Sequence, residues 1–256
     1  HNLTVSYNRR PVLWDVDFTL PEGRLIGIIG PNGSGKTTLL KSIMGLVPAD
    51  SGYVKLFDRP LEEVRTRISY VPQRESVDWD FPVSVREVVQ MGRYRRSNLL
   101  KRLSRQDKDI VRDALEKVGL QEFAGRQISQ LSGGQQQRVF IARALAQQAD
   151  MYLMDEPFAG VDAASEQAIL NLLTEMRAAG KTVLMVHHDL QTVRQYFDWI
   201  VLLNTRLIAC GPVETAFTED NLRQAYGGQL TILSKVADLV KERNFPVREQ
   251  PNAERP

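Results

Sequence analysis

The sequence predicts an α/β fold: a parallel sheet between helices, an antiparallel β subdomain near the amino end, and an α-helical subdomain inserted in the middle. Three observations carry this. Several short segments, "LIGII" at 25–29 among them, are apolar at every position, as in strands covered on both faces. The amino-terminal segment instead alternates apolar and polar residues, the period of a half-buried antiparallel strand. Helical patterns lie between the apolar segments, as parallel connections require.

Taken in order, "NLTVSY" at 2–7 reads as a strand, and Val12, Trp14, Val16, Phe18 and Leu20 form one face of its partner. "GYVKLF" at 52–57 is a third strand of that antiparallel group. "LIGII" opens the covered sheet, which "ISYV" at 68–71, "MYLMD" at 151–155 and "KTVLMVH" at 181–187 continue. Residues 75–145 read as the helical insertion. Within it Ser104 is an N-cap with Asp107 three residues on; Ile110, Val111, Ala114, Leu115 and Val118 make one apolar face, and Gly119 stops the helix. Residues 1–240 form one domain on this reading. The stretch 241–256, charged and Pro-bearing without periodicity, is a loose tail.

Composition narrows the function classes. Of 256 residues 43% are hydrophobic and 25% charged, ordinary for a chain that builds a sizeable core. The net charge of +2 gives no reason to expect nucleic acid. Cys210 is the single cysteine, which rules out an internal disulfide and fits a reducing compartment. No apolar run reaches the length of a membrane span, and none reads as a signal peptide.

"GPNGSGKT" at 30–37 matches G-x-x-x-x-G-K-T between an apolar strand and the helical pattern "KTTLLKSIMG", the context that a phosphate-binding loop needs. This marks a P-loop NTPase core. Gly30, Pro31, Asn32, Gly33, Ser34 and Gly35 form a loop whose glycines let backbone N–H groups (Pro31 itself has none) wrap an ATP tail, with Thr38 behind them at the helix start. Lys36 is a point charge for the β- and γ-phosphates, and Thr37 offers its hydroxyl to Mg²⁺. "MYLMDE" ends a strand in two carboxylates: Asp155 suits Mg²⁺, and Glu156 can orient and deprotonate an attacking water.

A second glycine-rich bend, Leu131, Ser132, Gly133, Gly134 and Gln135, opens straight into a helix. It cannot reach a phosphate tail that the first loop of its own subunit already encloses. Two copies arranged head to tail could each offer Ser132 and the Gly134 N–H to the other's ATP, through one isologous interface. "LSGGQQQR" resembles the signature of the ATP-binding-cassette ATPases, a family that uses it in this trans arrangement.

The resemblance covers about residues 2–225 and implies further roles, position by position. Tyr7 resembles the aromatic residue that stacks on adenine; the alternative is a buried strand tyrosine. Gln73 in "YVPQ" resembles the glutamine that touches Mg²⁺ and water and couples to the partner protein. Asp162 in "FAGVD" resembles the dimer-interface aspartate, although Gly160 and Val161 replace the more usual Ala-Leu before it. "VHHDL" resembles the strand-end histidine that contacts the γ-phosphate; the family's histidine directly precedes Asp, which selects His188 over His187. The implied fold is the ABC ATPase fold.

One cassette, with phosphate loop and signature about a hundred residues apart, leaves no room for the long insertions of DNA-acting relatives. The basic cluster Arg93, Arg95, Arg96, Lys101, Arg102 and Arg105 lacks an aromatic ladder and reads as a solvated or headgroup-facing patch. The resemblance then implies the energy subunit of a membrane transporter: a homodimer on separate integral membrane permease subunits, peripheral at the cytoplasmic face of the bacterial inner membrane. "VDWDFP" at 77–82 with "VVQMGRY" at 88–94 resembles ATPases of manganese, zinc and iron importers that depend on a metal-binding solute-binding protein. The alternatives are another cargo, such as an iron chelate, or a non-transport cassette on nucleic acid. With three histidines and no ligand cluster, the chain is expected to bind Mg²⁺ with ATP but not the cargo. Trp79 and Phe81 are read as a permease-docking patch, or else as the insertion's own core.

Overall fold

The computed structural model describes residues 1–94 and 103–227. Arg95, Arg96, Lys101, Arg102 and the expected tail lie outside the described residues. In chain order the elements are β1 (Leu3–Tyr7), β2 (Arg10–Val16), β3 (Leu25–Ile29), α1 (Lys36–Ile43), β4 (Lys55–Leu56), β5 (Arg59–Pro60), α2 (Leu61–Val64), β6 (Ile68–Val71), α3 (Val85–Gln90), α4 (Arg105–Lys117), α5 (Gly133–Ala146), β7 (Met151–Asp155), α6 (Ala163–Ala178), β8 (Thr182–Val186), α7 (Val193–Tyr196), β9 (Trp199–Asn204), β10 (Arg206–Pro212), α8 (Val213–Ala216) and α9 (Glu219–Tyr226).

The central sheet has six strands in the order β10-β9-β3-β8-β7-β6. Its inner neighbours pair in parallel, and β10 closes one edge antiparallel to β9. The all-apolar strands feed two cores, one on each face, because successive side chains point to opposite sides. Ile26, Ile28, Leu153, Leu184 and Val186 pack under β1, β2 and α1. Leu25, Ile29, Met154, Val183 and Met185 pack under α5, α6 and the helical layer. The α/β core, antiparallel β element and helices expected from the sequence are all present.

Helices α3, α4 and α5 pack on one another. Each begins with a reciprocal cap: Ser84 with Glu87, Ser104 with Asp107, Ser132 with Gln135. Such caps satisfy amides that the first turn leaves free, a contribution of about 1 kcal/mol each. Gly119, at φ 67°, follows the end of α4 and stops it as the sequence indicated.

The β subdomain differs from expectation in two ways. First, Trp14 is 48% exposed while Leu13 and Val16 are buried, so the predicted alternating face is not the inner one. Leu3 pairs with Val16 and Val5 with Leu13, three residues of β2 against two of β1, with Asp15 at φ 52°. That bulge flips the side-chain parity after Leu13, and β2 ends at Val16. Second, residues 52–57 do not form a third strand beside β2. The segment is tied to the amino end by a Thr4–Ser51 bridge and by bonds between Tyr53 and His1, and then turns into the β4–β5 hairpin, with Phe57 and Asp58 both in left-handed conformation.

A candidate nucleotide site at the carboxyl ends of four strands

The neighbouring strands β3, β8, β7 and β6 all end on the same side of the sheet, the edge where open α/β sheets bind ligands. Their ends deliver, in that spatial order, residues 30–35, His187 and His188, Asp155 and Glu156, and Gln73. Parallel register sets these groups level: Ile28 pairs with Val186, which also faces Asp155, and Val71 pairs with Met154.

The loop after β3 is tightly specified. A Cβ on Gly30 would lie 2.0 Å from the Leu203 carbonyl oxygen; one on Gly35, at φ 98°, would lie 2.6 Å from a Leu13 methyl. Only glycine fits either position. Ser34, Lys36 and Thr38 are buried, whereas Asn32 and Gly33 face outward. The Lys36 ammonium folds back to donate to the Gly30 and Pro31 carbonyls at 2.8 and 2.9 Å, closing the loop around itself. Burial lowers its pKa, and the Glu156 and Asp155 carboxylates oppose that shift. The outer wall consists of residues the motif does not indicate. The Thr205 N–H donates to the Ser34 carbonyl at 3.0 Å, and the Leu203 carbonyl lies against Gly30.

Thr37 Oγ1 donates to Asp155 Oδ1 at 3.0 Å. Asp155 is fully buried, its other oxygen has no partner, and burial raises its pKa. A buried carboxylate with an orphaned oxygen beside a hydroxyl fits a hard cation, and the orphaned Ser34 hydroxyl nearby in the loop fits an anion. ATP with Mg²⁺ therefore fits the residues present. Glu156, half-buried beyond the strand end, has φ 50°, a conformation that costs a non-glycine residue about 1–3 kcal/mol. The Gln73 amide donates to Glu156 Oε2 at 3.4 Å. Thr37, Asp155, Glu156 and Gln73 are thus brought together.

The two histidines are placed oppositely. His187 is buried among Phe158, Tyr196 and Phe197, with its Nε2 2.7 Å from Thr192 Oγ1; burial pushes it down to about 4. His188 is exposed. Tyr7 ends β1 at the hairpin tip and is 46% exposed, so it is not a buried strand tyrosine.

The second glycine-rich bend stands apart from the first loop. Ser132 is exposed and caps α5, its oxygen accepting from the Gln135 N–H at 3.3 Å, while Leu131 is buried beneath it. Asp162 caps α6 through the Ser165 N–H at 2.9 Å. The same carboxylate and Ser165 pack on Gly134, where a Cβ would lie 3.3 and 3.2 Å from their oxygens. Asp162 and the bend are therefore neighbours within one chain, which sequence spacing does not reveal.

A strand-end carboxylate pair and bonded Thr-Asp beside a phosphate loop define a nucleoside triphosphatase. The sequence profile of the ABC transporter family matches residues 13–159. The chain is 61% identical over 232 residues to the manganese transport system ATP-binding protein MntB of Bacillus subtilis (strain 168), covering 91% of this chain and 93% of that protein. It is 57% identical over 230 residues to the zinc transport system ATP-binding protein TroB of Treponema pallidum (strain Nichols), covering 90% and 86%. Among solved structures, a dimeric ATP-binding cassette in a post-hydrolysis state with ADP and phosphate superposes with TM-score 0.72 at 29% identity, covering 83% of this chain and 97% of that one. The chain belongs to the ABC transporter family and is an ATPase whose hydrolysis is coupled to transport.

Proposed function

We propose that this chain is the ATP-hydrolysing subunit of a bacterial importer for a divalent transition metal, manganese, zinc or iron, and that it acts as a homodimer with ATP at the interface. The observation that carries the cargo is the 61% identity to a manganese system ATPase over nearly the whole chain. The 57% identity to a zinc system ATPase keeps the choice of metal within that class.

In this reading residues 30–38 wrap the phosphates and Lys36 lies against their terminal charge. Thr37 and Asp155, with Gln73, would hold magnesium, which when bound with ATP neutralises phosphate charge. Glu156 orients the attacking water and takes its proton; its strained backbone fixes the carboxylate beside Gln73. His188, the exposed histidine, reaches the γ-phosphate, and Tyr7 stacks on adenine. Ser132 and Gly134 of one copy meet the ATP held by its partner, with Asp162 at the same interface. The exposure of Ser132 and the dimeric similar structure support that arrangement.

Energy reaches the membrane through permease subunits docked beside Gln73, at the cytoplasmic face of the inner membrane, with a metal-binding solute-binding protein acting from outside. Among the described residues no helix is long and apolar enough to cross a membrane. Phe81, 58% exposed beside exposed Asp78 and Asp80, suits the docking patch. Trp79 does not: it packs edge-on against Phe140 at 5.2 Å and donates to the Arg74 carbonyl at 2.9 Å.

The test is uptake by the chain reconstituted with its permease in vesicles. ATP-driven uptake of Mn²⁺, Zn²⁺ or Fe²⁺ that Glu156→Gln abolishes supports the proposal. Transport of an iron chelate in place of all three ions would overturn the cargo assignment.

A further inference from the structure

Helix α5 presents one continuous stripe, Gln136, Phe140, Arg143 and Gln147, to the segment that runs from β6 through Gln73. Gln147 Nε2 donates to the Ile68 carbonyl at 2.6 Å and Arg143 to the Tyr70 carbonyl at 3.1 Å. Both carbonyls belong to β6, the sheet's edge strand, and the helix caps them. Phe140 receives Trp79. At the top of the stripe stands Arg74, the residue after Gln73. Its Nε and Nη2 both donate to Gln136 Oε1, at 3.3 and 3.1 Å. Gln136 is held in register, since its amide donates to the Ile128 carbonyl at 3.1 Å. The Arg74 guanidinium also lies flat against Gly133, where a Cβ would come within 3.1–3.4 Å of it, and one nitrogen is 3.9 Å from the Cβ direction of Gly160. Among the described residues no carboxylate lies within ion-pair distance of Arg74 (Asp162 and Glu156 have other partners). A cation is therefore held against the amino end of a helix, where the macrodipole disfavours it, by geometry rather than by a counter-charge.

We propose that Arg74 is a positioning residue that ties the loop beginning at Gln73 to the first turn of α5, so that the place Gln73 takes at the nucleotide sets the place of Ser132. The inference rests on the reading of Gln73 and Ser132 given above, and it adds the physical link between them. Arginine is required because one planar fork both donates twice to a single amide oxygen and stacks on glycine; an ammonium cannot do both.

Amide hydrogen exchange of the dilute, monomeric chain with and without Mg-ATP tests the link. Binding is expected to slow exchange in residues 30–38 in every variant. In the parent it should also change exchange in residues 131–137, by about tenfold. Arg74→Ala should remove the second change and keep the first, and Arg74→Lys should not restore it. A packing role alone would speed exchange equally with and without nucleotide. An ATP-dependent change at 131–137 that survives in Arg74→Ala, or is absent from the parent, overturns the proposal. Sedimentation of Glu156→Gln with Mg-ATP judges the trans reading of Ser132 separately: absence of a dimer would count against that reading, while the exchange result would still decide the role of Arg74.

Discussion

Lys36 has two tasks that one substitution separates from the rest of the site. Its ammonium closes the loop through two carbonyls, and in the proposed reading its charge meets the triphosphate. Lys36→Ala removes a charge-assisted contact, so nucleotide affinity should fall by about ten- to a hundredfold in calorimetric titration. Unchanged affinity would mean that the loop binds phosphate through its backbone alone. His187 makes a different kind of prediction. It is buried and neutral, next to His188 and Asp189 on its own loop and to Phe158 and Tyr196, with Glu166 bonded to the Tyr196 hydroxyl. Because its folded pKa of about 4 lies below the ordinary 6.5, the unfolded chain binds the extra proton first as pH falls. The stability that neutral His187 allows is complete above pH 6.5 and is lost as pH drops toward 4, a term of about 3 kcal/mol. Asp155, raised by burial, acts with the opposite sign. Comparing His187→Phe with the parent isolates the histidine: the drop in Tm from pH 7.5 to pH 5 should be smaller in the variant. An equal drop would show that His187 is not the group responsible.

Among the elements, α5 matters most, since it carries the second glycine-rich bend at one end and caps the edge of the sheet along its length. Arg143 is the central fastener, with its guanidinium over Phe140 at 4.5 Å and on the Tyr70 carbonyl. Arg143→Leu leaves that carbonyl unpaired and should cost about 1–3 kcal/mol in denaturant unfolding. A cost near zero would mean that solvent reaches the edge of β6. This fastening is also where the sequence stops being informative. Residues 30–38, 131–135 and 155–156 are legible because each function lies in a contiguous run whose spacing the chemistry fixes. Arg74 and Gln136 are 62 residues apart, and nothing local marks either one. Periodicity alone assigns the wrong inner face to β2 for a related reason. Periodicity describes a regular strand, and one left-handed residue, Asp15, exchanges the faces without altering the apolar pattern. Phe57 in a left-handed turn is likewise no turn signal by residue type, so the 52–57 run reads as a strand.

At the scale of the whole molecule, one chain brings the phosphate loop, Thr37, Asp155, Glu156 and Gln73 together, while the second glycine-rich bend stands apart from them. Thr37 is bonded to Asp155 and Gln73 to Glu156, whereas among the described residues the Ser132 side chain bonds only to the Gln135 N–H of its own helix. In the proposed reading one copy suffices for binding, and closure needs two. Ser132→Arg should leave nucleotide affinity of the monomer nearly intact and block closure by bulk and charge, the reverse of Lys36→Ala. Phe81→Ala should lower coupled metal uptake in the reconstituted transporter and leave Tm unchanged, because the ring is exposed; a fall in Tm with uptake unaffected would remove it from the docking patch. The central claim, that two copies share each ATP, is tested most directly by sedimentation of the slowed enzyme. Glu156→Gln should reduce hydrolysis by about 10²–10⁴ and let the closed form accumulate. With Mg-ATP the Glu156→Gln chain should sediment as a dimer, and the Glu156→Gln, Ser132→Arg double variant as a monomer that still binds ATP. A Glu156→Gln chain that stays monomeric at high concentration with ATP bound would contradict the account, as would a Ser132→Arg variant that loses ATP affinity as severely as Lys36→Ala.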